Sequence, residues 1–307
     1  MKNRRIVSIL LILVSLVAVL LLPTQVLAGS PAYPADRIYN LAAAPKPISD
    51  PSKAVPDSTS YLNQADPQNP NYDAKLQRYR TAPTAPLAST QQYVHSAWGS
   101  GIIGGTNVTG VYAGQAVRPN LNLPAVPAGG LTTWLYAPTL QLNNYCPIEA
   151  ITVYASYPGG GYTDRFLGIQ DHRTGDNFVK QWPIDATFVS NYVRTWQGPG
   201  QEYFVELLQS GSTYYVLLYN FNTGLWENKY TTSGGSSPFM YGWDQWEMYV
   251  SGAWPTLPNI QTSGIRVYAN GSWSLLNSTY GYQVNLPNGM PYQRLWLSQY
   301  DAWSVGP

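Results

Sequence analysis

The chain reads as all-β: a two-sheet antiparallel β-sandwich of the jelly-roll, concanavalin-like kind. Three observations point there. Short runs of β-branched and aromatic residues recur between Gly, Asn, Ser and Pro, no apolar pattern of helical period persists for a dozen residues, and aromatic residues reach 14% of the composition. Many short strands separated by turn residues must bury their apolar faces against a second sheet, and a sandwich does this.

The expected strands, in order, are 108–117, 132–136, 149–157, 203–209, 213–221, 225–231, 245–250, 264–268 and 294–298. Ser210-Gly211-Ser212 and Asn222-Thr223-Gly224 supply the small residues of hairpin turns between such runs. Ahead of the strands the composition breaks sharply. Residues 29–92 hold ten prolines and no tryptophan, whereas all eleven tryptophans lie between Trp98 and Trp303. Proline removes amide donors and fixes φ, so 29–92 is expected to be a leader, linker or propeptide, with two helical turns over Tyr72–Tyr79. The sandwich domain then spans 93–307.

Residues 1–28 have the order of a cleavable export signal: Lys2, Arg4 and Arg5, an aliphatic run over 6–22, then Val26-Leu27-Ala28 with short side chains at the cutting site. The expected mature protein is secreted or extracytoplasmic, monomeric and without stable membrane association. Removing the signal takes three of 17 Lys+Arg and no acid, leaving 14 against 16 Asp+Glu, a balance of −2. Nothing in that balance suggests the basic face a nucleic-acid partner requires, and no such partner is expected. Charged residues are only 11% of the chain, so there is little ion pairing to lose in acid. The single cysteine, Cys146, excludes an internal disulfide and reads as a half-buried thiol.

The catalytic options are few. The chain has two histidines, His95 and His172, no H-E-x-x-H and no G-x-S-x-G, so neither zinc hydrolysis nor a serine triad is indicated, and no metal or cofactor is expected. Asp171-His172-Arg173 reads as a polar loop. What remains are acids and amides on strands. Alternation puts Glu149 on one face with Ile151, Val153, Ala155 and Tyr157, and a carboxylate leading an apolar face is desolvated, which suits proton transfer in acid. In 243–250, Trp243, Gln245, Glu247 and Tyr249 share a face that mixes aromatic, amide and acid, as the floor of a polar cleft does. Against this, a strand's first Glu commonly points into solvent and an aromatic face is commonly packing, so periodicity alone leaves both readings open.

From Trp98 onward the order of motifs resembles the glutamic peptidases, the eqolisin and neprosin families. Trp98-Gly99, Val108-Thr-Gly-Val111 and Thr132-Thr-Trp134-Leu follow the eqolisin opening. Pro147-Ile-Glu149-Ala150 with Val153-Tyr154 and Tyr157-Pro158 is similar to the neprosin segment around its catalytic Glu, where eqolisins place a Gln. The runs 204–209 and 216–222 with Asn222-Thr-Gly224 resemble strands and a turn common to both. The resemblance implies a β-sandwich with a Glu-Glu or Glu-Gln dyad in a cleft and catalytic roles for Glu149 and for Glu247 or Gln245. An eqolisin alignment on Trp246 puts Gln245 at the second position; a neprosin alignment on Trp243 reaches Glu247 with one inserted residue. Trp134, Trp243, Tyr249 and Tyr157 are then the aromatics expected to hold substrate.

The function expected is a secreted, acid-acting glutamic endopeptidase on polypeptide substrates, Pro-rich ones included, with post-proline cleavage implied by the neprosin likeness. The alternatives are a non-catalytic sandwich that binds carbohydrate or peptide on exposed aromatics, and a carbohydrate-cleaving jelly roll using two carboxylates.

Overall fold

Two sheets stack face to face in a computed structural model of the chain, which describes residues 44–58, 92–174, 177–195 and 200–307. In chain order the strands are β1 (Val55–Pro56), β2 (Val94–Ile102), β3 (Val108–Val117), β4 (Thr133–Gln141), β5 (Ile148–Ser156), β6 (Thr163–Asp171), β7 (Asn177–Pro183), β8 (Arg194–Thr195) and β9 (Gln201–Ser210). They continue with β10 (Thr213–Asn220), β11 (Leu225–Ser233), β12 (Gly242–Val250), β13 (Ile260–Ala269), β14 (Ser272–Leu275), β15 (Gly281–Leu286), β16 (Gln293–Ser298) and β17 (Ala302–Gly306). The first sheet runs β1-β11-β10-β9-β3-β13-β17-β16, with β14 on β13 and β8 on β9; the second runs β15-β2-β12-β4-β5-β6-β7. Pairing is antiparallel apart from β1 with β11. This is the sandwich the sequence predicts. The export signal expected over 1–28 and the helical turns expected over Tyr72–Tyr79 lie outside the described residues.

All nine expected strands form. The hairpins close as their residues require: Gly211 turns β9 into β10 at φ 60°, and the Asn220 side chain accepts from the amide of Asn222 at the turn into β11. Strand β4 runs past Pro138 to Gln141 because a register shift between Tyr136 and Thr139 absorbs the proline. Strands β2 and β6 are less legible, since Gly and Ser interrupt the one and charged residues the other. The helix α1 (Ala186–Tyr192), begun by Asp185 accepting from the Phe188 amide, is too short to show a period.

The sandwich core takes Val111, Val205, Leu207, Val216, Leu218 and Val267 from the first sheet, and Leu135, Leu140, Tyr154, Leu167, Trp246 and Met248 from the second. Each such side chain contributes roughly 1.5–3 kcal/mol by leaving water. One polar chain crosses this interior. Thr152 of β5 bonds the Tyr203 hydroxyl at 2.6 Å, Tyr203 donates to Gln115 Oε1 at 2.7 Å, and Gln115 Nε2 donates to Asp244 Oδ2 at 2.9 Å on β12.

The alternate side chains of the first sheet build a second apolar layer on its outer face from Tyr112, Phe204, Leu208, Leu217 and Trp226. Residues 44–58 lie across it as a strap. Ala44, Ile48 and Ala54 pack on the layer, the Tyr112 hydroxyl and Trp226 indole donate to the carbonyls of Pro45 and Lys46, and β1 adds a short edge strand. Where the strap ends, Asp57 pairs with Lys229, and Ser58 donates to Glu227 at 2.6 Å. Prolines at such places cost nothing, because an edge strand needs few inward amides.

Candidate functional site

The outer face of the second sheet carries the chemistry. Its floor is β12, β4 and β5, whose register aligns side chains in rows: Trp243–Gln141–Glu149, then Gln245–Thr139–Ile151, then Glu247–Tyr136–Val153, then Tyr249–Trp134–Ala155. Glu149 and Glu247 therefore stand on the strands flanking β4, two rows apart, and Gln245 is one row closer to Glu149. The shift in β4 brings both Tyr136 and Thr139 to this face, where strict alternation would separate them. On the far side of β12, Gly99 faces Gln245 at φ +151°, and a Cβ there would sit 2.9 Å from that of Gln245, so glycine alone lets β2 approach.

Glu149 is buried yet well supplied with donors. Its Oε1 accepts from the Trp243 indole at 2.7 Å and from the Thr139 hydroxyl, and its Oε2 lies 3.2 Å from His172 Nε2. Burial pushes its pKa up, the His172 hydrogen bond opposes that, and the charge of Glu247 adds to it. Glu247 accepts from Gln245 Nε2 and, at 2.9 Å, from the Tyr249 hydroxyl. His95 stacks on the Tyr249 ring at 4.3 Å, with Nε2 3.3 Å from Glu247 Oε2 but without hydrogen-bond alignment. Burial, followed by the charge of Glu247, drives the Tyr249 phenol upward, which keeps it a donor.

Aromatic rings wall the floor. Trp134, Tyr136 and Tyr157 meet edge to face beside Ile151 and Val153, and Tyr136 meets Tyr249. At the other end Phe239 packs on both Trp243 and His172, and Tyr241 meets Tyr282. Phe239, Tyr241 and Tyr282 keep large exposed surfaces, as Tyr93 does near Tyr249.

All seven residues singled out in the sequence thus share one face: Glu149, Gln245, Glu247, Trp134, Trp243, Tyr249 and Tyr157. The Asp171-His172-Arg173 segment, read as a polar loop, is the end of β6 and the turn after it, and that turn folds the His172 ring onto Glu149. Sequence reasoning also passed over His95, Thr139, Gln141, Phe239, Tyr241 and Tyr282. Scarcity was the available signal for the histidines, since the chain has two and each meets a different glutamate of the pair. Cys146 is fully buried rather than half-buried, and burial pushes its thiol up to about 12, so it takes no part. Among the described residues no group of three or more His, Cys, Asp or Glu is placed to hold a metal ion.

No protein-family model matches the chain, and no curated protein matches it. Among solved structures it is similar to Scytalido-glutamic peptidase, crystallised with a peptide-based transition-state analogue, at 14% identity and a TM-score of 0.39, over 69% of this chain and 98% of that one. A likeness of this strength assigns no family.

Proposed function

We propose that the chain is an exported endopeptidase of glutamic type that cleaves extended polypeptide in mildly acidic surroundings. The observation that carries this is Glu149, a carboxylate sunk in the floor of an aromatic-walled face with donors on both oxygens and an amide and a second acid across one strand. Glu149 takes a proton from water as the oxygen attacks the scissile carbonyl. Gln245 has two amide hydrogens; Glu247 accepts one and so orients the group, and the other serves the developing oxyanion. The proton on Glu149 then passes to the leaving amine.

The register favours Gln245 over Glu247 as the partner, since it is a row closer to Glu149. On the eqolisin resemblance, acid and amide have then exchanged strands: Glu149 stands where those enzymes carry Gln, and Gln245 where they carry Glu. A base raised by burial loses its charge at a higher pH than an exposed glutamate at about 4.3, so activity fades in strong acid. Cleavage after proline rests on the neprosin resemblance, and the flat rings of Trp134, Tyr136 and Tyr157 suit a prolyl ring.

The test is incubation of purified protein with a denatured Pro-rich protein from acid to neutral pH, with products read by mass. Cleavage by the wild type and none by Glu149→Gln supports the proposal, and equal product patterns overturn it. The exposed Phe239, Tyr241 and Tyr282 favour a second reading, a module that binds peptide or sugar on aromatic faces. That reading expects the Glu149→Gln protein to bind as the wild type does, with nothing cleaved by either.

A further inference from the structure

We propose that His172 is the positioning residue of this cleft, a fixed donor that keeps Glu149 ionised and aimed; this rests on the reading of Glu149 as the base. His172 Nε2 lies 3.2 Å from Glu149 Oε2 and 3.1 Å from Gln141 Oε1. The Gln141 amide is oriented by its own nitrogen donating to the carbonyl of Cys146, so the atom turned to the ring is its oxygen. Both neighbours of Nε2 are acceptors, and the nitrogen must carry hydrogen in the neutral ring as well as the charged one.

The consequence falls on Glu149. An indole N–H, which can only donate, meets one oxygen at 2.7 Å, and the imidazole N–H meets the other. A protonated carboxyl would keep a partner only where the Thr139 hydroxyl turns to accept its hydrogen, whereas the carboxylate accepts from all three groups. These donors oppose the burial that favours the neutral acid and that still leaves the pKa of Glu149 raised. The His172 side chain is itself only 7% exposed, closed over by the edge contact with Phe239 at 5.1 Å between ring centres, so water does not replace it as the donor. The titratable groups closest to it are Glu149 on β5 and Asp171 and Arg173 on its own segment, and Glu247 and Tyr249 on β12 act on Glu149 from the other side. Arg173 is engaged by Asp171 at 2.6 Å, and the histidine of this segment is the side chain that reaches Glu149.

Two variants separate donation from bulk structure. In His172→Ala the acid limb of kcat/KM should move up by about one pH unit as Glu149 becomes harder to ionise, and kcat should fall at least about tenfold with KM little changed. His172→Gln can return an N–H near the place of Nε2 and should recover most of both effects. An unshifted pH profile in His172→Ala, or a His172→Gln variant no better than the alanine one, overturns the proposal. Nitrogen NMR of the ring judges it without any cleavage. If the wild type cuts nothing, an Nε2-protonated neutral tautomer whose signal moves in Glu149→Ala keeps His172 as the partner of Glu149 and removes the peptidase reading alone. An Nδ1-protonated ring, or one indifferent to Glu149→Ala, overturns the positioning role itself.

Discussion

The outer faces of the two sheets are built from the same pattern and end in opposite states. On the first sheet, Phe204, Glu206 and Leu208 alternate outward on β9; on the second, Glu149, Ile151 and Val153 do so on β5. Each is an acid in an apolar row. The strap of residues 44–58 covers the first, and Glu206 is left with the amide of Ile48 on one oxygen and no partner on the other. The second carries no strap among the described residues, and Glu149 is ringed with donors from three segments. Burial alone therefore does not mark a working acid. Desolvation pushes Glu206 well above the ordinary range with one backbone amide opposing it, whereas the burial that raises Glu149 is opposed by hydrogen bonds from His172 and Thr139.

The sharpest way to break this comparison is to neutralise both acids. Glu149→Gln is expected to lower cleavage by about 10²–10⁴ while changing the melting temperature little, because removing a desolvated charge offsets turning an amide N–H toward a donor. Glu206→Gln should leave cleavage as it was, since this side chain lies under the strap on the first sheet and touches none of the residues around Glu149. Equal losses of turnover in the two would show that the covered face takes part in the chemistry.

Next in size is the strap. Its proline content suggests a detachable leader, yet residues 44–58 close the aromatic layer of Phe204, Leu217 and Trp226 and meet a buried cluster. In that cluster Lys229 contacts Asp57, Glu227 at 2.8 Å and the Tyr192 hydroxyl at 2.6 Å. Lys229→Met leaves buried carboxylate uncompensated and should cost about 3–5 kcal/mol in denaturant unfolding. Deleting 44–58 should lower the melting temperature and raise binding of an apolar dye. A deletion that melts like the wild type would make the strap an ornament and the two faces alike.

The cleft itself was partly legible. Alternation placed Glu149 and the Trp243–Tyr249 row on their faces, because the pleat fixes side-chain direction. It could not place Thr139, since the β4 register shift is set by pairing with β5 and β12 and not by local sequence. Nor could it place His172, whose turn becomes part of the site only when β6 pairs with β5. Which residue of β12 answers Glu149 was likewise hidden, and only the cross-strand rows rank Gln245 first. Gln245→Ala is expected to lower kcat by the roughly 2.7–4 kcal/mol typical of an oxyanion donor, and Glu247→Gln by less, since an amide oxygen still accepts from Gln245. Steady-state kinetics on one peptide decide it, and the reverse order would transfer the dyad to Glu247.

The smallest effect concerns the buried acids of the interior. Burial pushes Asp244 up to about 7, opposed by its bonds from Gln115, Thr262 and Trp303, and pushes Glu202 up to about 8, opposed by Arg194. Both acids ionise near 4 in an unfolded chain, so between pH 8 and 4 the folded protein binds more protons than the unfolded one. Stability must then rise as pH falls through that window, by at most about 1.4 kcal/mol per pH unit for each group. The acids held below their ordinary range, Glu227 beside Lys229 and Asp171 beside Arg173, pull the other way only from about pH 5 downward, where the unfolded chain takes up protons that the folded protein refuses. Thermal melts at pH 8, 7, 6 and 5 should therefore climb. In Asp244→Asn the climb should be shallower, because the amide keeps the shape and one acceptor oxygen, for the Trp303 indole, but takes up no proton. A wild-type profile that falls from pH 8 to pH 5 would mean that neither Asp244 nor Glu202 takes up a proton in the folded protein over that range, and an equal slope in Asp244→Asn would remove Asp244 from the account.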